Sequence, residues 1–176
     1  VAPAPSDAEP PPPPLKSPPE APVQPPSAAQ QAPSGPAASP GAVRAQLVER
    51  NPGLNDFQIR MKPDANDQIV RVEIYSPALK DIRPLAGLTA LQEVVLAPLP
   101  PGEWAAPYPT LPLEDLTALK GLPLRALSLG PSRVRELQPL AGMPLEHLAV
   151  AGSKIRDIRV LKGMPLASLD VSNTEL

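Results

Sequence analysis

Cysteine is missing from the sequence, histidine occurs once, and Trp, Tyr and Phe together supply only four of the 176 residues. Without cysteine there is no disulfide and no thiolate ligand. One histidine with scattered carboxylates does not assemble a metal site. Long apolar runs are missing too, and no stretch approaches the ~18 consecutive residues of a membrane-spanning helix. Charge of one sign does not dominate either. The formal net charge is -2, and residues 1–40 account for it with Lys16 against Asp7, Glu9 and Glu20, so the other 15 basic and 15 acidic residues cancel. A neutral folded part offers no electrostatic pull on nucleic acid or an anionic membrane surface. Nucleotide loops of the G-x-x-x-x-G-K-[ST] and G-x-G-x-x-G kinds are absent, as are kinase motifs, so no cofactor is expected.

Proline, by contrast, is abundant, at 30 residues, half of them within residues 1–40. That segment holds no aromatic residue and almost no branched aliphatic one, so it cannot bury enough apolar surface to offset the entropy of ordering. It reads as a disordered proline-rich linker with polyproline II character around Pro10–Pro14. Runs of P-x-x-P, such as Pro10–Pro13 and Pro22–Pro25, suit a semi-rigid spacer better than a groove ligand.

From Gly41 the composition changes. AVRAQLVER puts Val43, Leu47 and Val48 on one stripe, predicting a short amphipathic helix that Asn51-Pro52-Gly53 stops. FQIRM, from Phe57 to Met61, alternates apolar and polar as a strand does, and PDAND turns the chain into QIVRVEIYS. Residues 41–68 thus read as a helix and hairpin strand that cap the open edge of the C-terminal part of the chain.

The rest of the chain repeats itself. Gly121, Gly142 and Gly163 are spaced by 21 residues, and each opens the same phrase: GLPLRALSLGPSRV, GMPLEHLAVAGSKI, GMPLASLDVSNTEL. Counting Leu124, Leu145 and Leu166 as position 1, aliphatic residues recur at positions 1, 4, 6 and 11, with Ser132, Ser153 and Thr174 at position 9. The period of two at positions 4 and 6 fits a strand with one buried face. A lone strand cannot cover that face, so successive units must stack into a parallel sheet. Between strands, Leu137 with Leu140 and Ile158 with Leu161 sit three apart, as in a 3₁₀ or single α turn closed by glycine. Ile69, Val72, Ile74 and Leu79 begin the series with Pro77 at position 9, and Leu91, Val94 and Leu96 continue it. Gly87 and Gly121 are then 34 residues apart, one unit of 22 plus 12 extra. Residues 69–176 therefore hold about five repeats with an insert near 98–112. The chain stops at position 11 of a unit, which points to a repeat domain truncated at its C-terminus.

The pattern L-x-x-L-x-L-x-x-[ST]-x-[LIV], with the D-[LI]-x-x-L-x-G-[LM] return, resembles the leucine-rich repeat family and its short internalin-like bacterial classes. Position 9, usually asparagine there, is serine or threonine here. The G-M-P-L junction and the N-P-G-[LF] step before the repeats resemble repeats of planctomycete-type bacteria. The resemblance implies an α/β solenoid: a curved parallel sheet with short 3₁₀ or α returns and a non-catalytic protein-binding role. It also implies a second reading, the sensor or scaffold region of a receptor-like serine/threonine kinase whose catalytic domain and membrane tether lie elsewhere. An extracytoplasmic place belongs to that second reading only.

On a solenoid the outward strand positions form a contact row. Position 3 gives Arg71, Glu93, Ala126, His147 and Ser168, and position 5 gives Glu73, Val95, Ser128, Ala149 and Asp170. Candidate protein-binding residues are the polar members of these rows, with Arg125 beside them and Trp104 and Tyr108 of the insert. A Trp and a Tyr held among prolines would suit a contact anchor, although a lone Trp more often seeks burial against the solenoid edge. His147 near Ser168 and Asp170 has the composition of a catalytic triad. An open sheet implies neither oxyanion donors nor exclusion of water, so no catalytic residue is assigned. Arg71, Glu73 and Glu93 are expected to form exposed charge pairs, and the partner is a protein or peptide rather than nucleic acid or metal.

Overall fold

The computed structural model describes residues 39–99 and 109–176. Residues 1–38, which carry most of the proline-rich stretch, lie outside them. Helix α1 (Pro40–Arg50) comes first, followed by strands β1 (Ile59–Pro63), β2 (Ile69–Tyr75), β3 (Glu93–Ala97), β4 (Ala126–Leu129), β5 (His147–Ala149) and β6 (Ser168–Asp170). The six strands form one sheet in sequence order. β1 and β2 are antiparallel and every later pair is parallel.

Helix α1 begins at the N-cap residue Ser39, its hydroxyl accepting from the Ala42 N–H at 3.3 Å, with Pro40 pre-set for the first helical position. Val43 and Leu47 are buried and Val48 is half-buried, the stripe the sequence predicts. Asn51 ends the helix and does more than stop it. Its side chain is fully buried, and its Nδ2 donates to Leu47 O at 2.8 Å and to Asp81 O at 2.9 Å. Its Oδ1 accepts from the N–H groups of Lys80 and Asp81, both at 2.8 Å. All four capacities of the amide are met, so the helix is pinned to the first unit's return.

One strand prediction needs correcting. The alternation from Phe57 to Met61 predicts a strand beginning at Phe57, but Asp56–Gln58 form a 3₁₀ turn and β1 starts at Ile59. The Asn55 N–H donates to Gln58 Oε1 at 2.9 Å and the Gln58 N–H returns to Asn55 O at 3.0 Å. This local closure wins over the period of two, and Phe57 is left 79% exposed.

Within the sheet, register partners are the residues the repeat aligns: Val72, Val94, Leu127, Leu148 and Leu169 face one another in turn. Positions 4 and 6 are buried from β2 to β5, and Leu145, Ile155, Leu124 and Val134 join them in one continuous core. The returns are 3₁₀ turns at Arg83–Gly87, Thr117–Leu119, Gln138–Leu140 and Arg159–Leu161. Aspartates at one place in the unit cap three of them. Asp81, Asp115 and Asp157 accept from the N–H groups of Arg83, Thr117 and Arg159 at 2.9, 2.7 and 2.8 Å. Gly121, Gly142 and Gly163 close the turns with φ of 78°, 71° and 85°, a backbone that side chains resist, which gives the 21-residue glycine period its physical cause.

The hydroxyl at position 9 bonds its own turn in two of the three units that carry one, whereas Ser132 Oγ is buried without a hydrogen-bond partner. Ser153 Oγ donates to Val150 O at 2.6 Å and Thr174 Oγ1 to Val171 O at 2.8 Å. Pro77 cannot play this part and lies exposed; Ser76 is buried instead, its Oγ accepting from the Ala78 N–H at 3.3 Å. In the unit of β3, Leu111 fills the place: it bridges Ser132, and its N–H donates to Pro131 O at 2.7 Å. Position 6 at Leu96 is thus followed by position 9 at Leu111, and the extra residues fall between.

Candidate protein-binding face

The sheet face turned away from the core is built from positions 3, 5 and 7 of each strand, because successive side chains alternate across a strand. The antiparallel partner β1 adds Arg60 and Lys62, register partners of Glu73 and Arg71. The two sequence-derived rows lie where the spacing puts them: Arg71, Glu93, Ala126, His147 and Ser168 are consecutive register partners, as are Glu73, Val95, Ser128, Ala149 and Asp170.

At the β2 end the charges are paired. Arg71 Nη2 stands 2.7 Å from Glu73 Oε1, and Arg71 Nη1 stands 2.7 Å from Glu93 Oε2. The hydrogen bond to Glu73, supported by Glu93, moves the Arg71 guanidinium further above its already high ordinary value. Tyr75 completes the group, its hydroxyl donating to Glu73 Oε2 at 3.4 Å while the Arg60 guanidinium lies 5.8 Å from its ring centroid. Burial, then the Glu73 charge, pushes the Tyr75 hydroxyl above its ordinary range. The sequence rows stop at position 5 and so miss Tyr75, Arg60 and Lys62. Extending the period of two by one step, and reading β1 as part of the face, finds all three.

The middle of the face is shallow. Ala126, Ser128, Ala149, Gly130 and Ala151 stand there, and Ser128 is exposed. Arg125, just below β4, pairs with Glu146 at 3.2 Å, both partners largely in water, so this contact fixes little. At the far end His147, Ser168 and Asp170 are exposed. His147 and Ser168 are register neighbours, yet no hydrogen bond joins His147 to Ser168 or Asp170 among the described residues. Asp170 instead accepts from Ser172, through its backbone N–H at 2.9 Å and its hydroxyl, and the hydroxyl contact first holds the carboxyl below its ordinary value. Trp104 and Tyr108 lie outside the described residues.

A recess of about 290 Å³ lies over β1 and β2, lined by Arg60, Met61, Lys62, Arg71 and Glu73, and others occur along the lateral side. One of about 550 Å³ lies between successive turns and is lined by Glu114, Asp115, Lys120, Arg133, Arg135 and Glu136 among others. Its mixed charges line a furrow between repeats. No group of three or more His, Cys, Asp or Glu side chains capable of holding a metal ion occurs among the described residues.

No family model matches the sequence, and no curated protein matches it. Among solved structures, the chain is similar to an internalin (inlF) of Listeria monocytogenes, with 23% identity over 64% of this chain and a TM-score of 0.51. The fold is a leucine-rich-repeat solenoid. The chain spans about a third of that internalin's length, 32%. A second internalin, C2 (inlC2) of the same organism, aligns at 26% identity over 55% of this chain and 35% of its own, with a TM-score of 0.39. The solenoid's six-stranded sheet with 3₁₀ returns fits this architecture, and its outward face is the surface the strands hold in common.

Proposed function

We propose that the chain is a non-catalytic protein-interaction module that uses the outward face of its sheet as the contact surface. The observation that carries this reading is the face itself: five parallel-paired strands in strict register present a shallow centre of small residues bordered by ordered polar groups. A partner's backbone can approach closely where Ala126, Ser128, Gly130 and Ala149 leave room, and the rigid sheet needs little ordering on binding. The similarity to an internalin supports the repeat architecture on which this rests.

Selection of random linear peptides against the chain tests the reading. Ser128→Trp places an indole on the centre of the face at an exposed position, so it leaves the melting temperature nearly unchanged and abolishes binding of the selected peptides. Peptides that bind the Ser128→Trp variant as well as the parent chain place the contact surface elsewhere.

A further inference from the structure

Between β1 and β6 the outward face is electrically polar. Arg60, Lys62 and Arg71 stand together on β1 and β2. Glu73 and Glu93 both engage Arg71, and Arg60 is laid over Tyr75, so three cations meet two carboxylates. Lys62 forms none of the ion pairs found among the described residues. On β6, five strands along, Asp170 is exposed, its carboxylate bonds only Ser172, and it has no cationic partner among the described residues. On β4 and β5 between them, positions 3, 5 and 7 carry no carboxylate, lysine or arginine.

Geometry sets the direction of any long occupant. β4 to β6 are three or four residues long, so the face is narrow along the strands. Across them, from β1 to β6, five spacings of about 4.8 Å give a span of roughly 24 Å, the reach of about seven extended residues. The outward side chains are the recognition elements, and the opposite charges on β1–β2 and on β6 orient what binds.

We propose that the occupant is an extended peptide segment laid across the strands, with a carboxylate over Arg60 and Lys62, a basic side chain over Asp170, and small or aliphatic residues between. This rests on reading the face as the binding surface. Nucleic acid, which carries charge of one sign throughout, would meet Asp170 unfavourably.

The test uses random linear peptides selected on the full chain, with affinities measured by fluorescence anisotropy. The enriched sequences are expected to carry Asp or Glu about seven positions from Lys or Arg. Lys62→Glu and Asp170→Lys should each weaken them roughly tenfold. Peptides with the two charges exchanged should regain affinity on the Lys62→Glu/Asp170→Lys chain. Both positions are exposed, and unchanged melting curves establish that the variants are folded. Failure to enrich any peptide, enrichment without charge polarity, or equal affinity for Asp170→Lys overturns the inference. Peptides blocked by Ser128→Trp yet indifferent to both reversals sink the polarity alone, whereas peptides indifferent to Ser128→Trp sink the binding-face reading.

Discussion

Gly130 and Gly142 are both glycine, for different reasons, and the difference can be measured. At Gly130 a Cβ would come within 2.9 Å of Pro98 Cδ and 3.3 Å of Ala97 Cα, because the buried chain leaving β3 closes over it. At Gly142 a Cβ would meet nothing within 4 Å, but φ is +71°. Gly130→Ala must therefore shift a neighbouring strand end, and Gly142→Ala must strain its own backbone. Each should cost about 1–3 kcal/mol in chemical denaturation. Gly142→Asn, which tolerates the left-handed region, should recover part of the loss. Gly130→Asn should not. Equal behaviour of asparagine at both sites would contradict this division. The 21-residue period marks Gly142 in the sequence. Gly130 carries no such mark, since only the packing of Pro98 shows why a side chain is refused. Asn51 is similarly hidden: in sequence it is a helix stop, and its bonds to Lys80 and Asp81 join residues about 30 apart in the chain.

At the scale of the element, the returns carry the chain's clearest pH dependence. Asp81, Asp115 and Asp157 each cap a 3₁₀ turn, and hydrogen bonds from the side chains of Arg83, Thr117 and Arg159 respectively are the chief cause that holds each carboxyl below its ordinary value. Asp157 is brought to about 2 from 3.8. A carboxyl whose pKa is lower folded than unfolded binds more protons in the unfolded chain, so stability rises with pH through that window. The contribution is complete above the ordinary value and is lost as pH falls from 3.8 toward about 2. The melting temperature should be flat from neutral pH to roughly 5 and fall below it. Asp157→Asn keeps an oxygen for the Arg159 N–H and removes the charge. It should melt slightly below the parent chain at neutral pH and together with it at the acid end. A gap that persists in acid would assign the loss to packing instead. These turns were legible in the sequence because the D-[LI]-x-x-L phrase recurs, and so were the strands, whose positions 4 and 6 match one another through the register. The stretch leading into β1 was less so: a period of two across Phe57–Met61 cannot reveal that the side chain of Gln58 closes a turn on Asn55. On the binding face, two rows were readable from spacing alone, whereas the Arg60–Tyr75–Glu73–Arg71 group depends on β1 pairing with β2.

For the whole molecule, units that touch only their neighbours make stability local and graded along the stack. Each strand from β2 to β5 is covered on both sides, and Val72, Val94, Leu127 and Leu148 are at most 1% exposed. β6 has one neighbour, and Leu169, the register partner of Leu148, is 41% exposed. Truncating Leu148 removes side-chain atoms from a closed core and should cost about 2–5 kcal/mol. Leu169→Ala removes the same atoms from a half-open site, so less apolar area is lost and the cost should stay near ~1 kcal/mol. Hydrogen exchange of the 176-residue chain should show the same gradient. Amides of β6 and of the turn at Arg159–Leu161 should exchange first through local opening, while those of β2 to β4, held between α1 and the later repeats, should exchange only on global unfolding. Leu169→Ala should then speed exchange in β6 and leave β2 and β3 unchanged, since an opening at one end does not disturb a distant pair of units. Uniform acceleration across the sheet would mean that the stack opens as one cooperative body, and the graded description would fail.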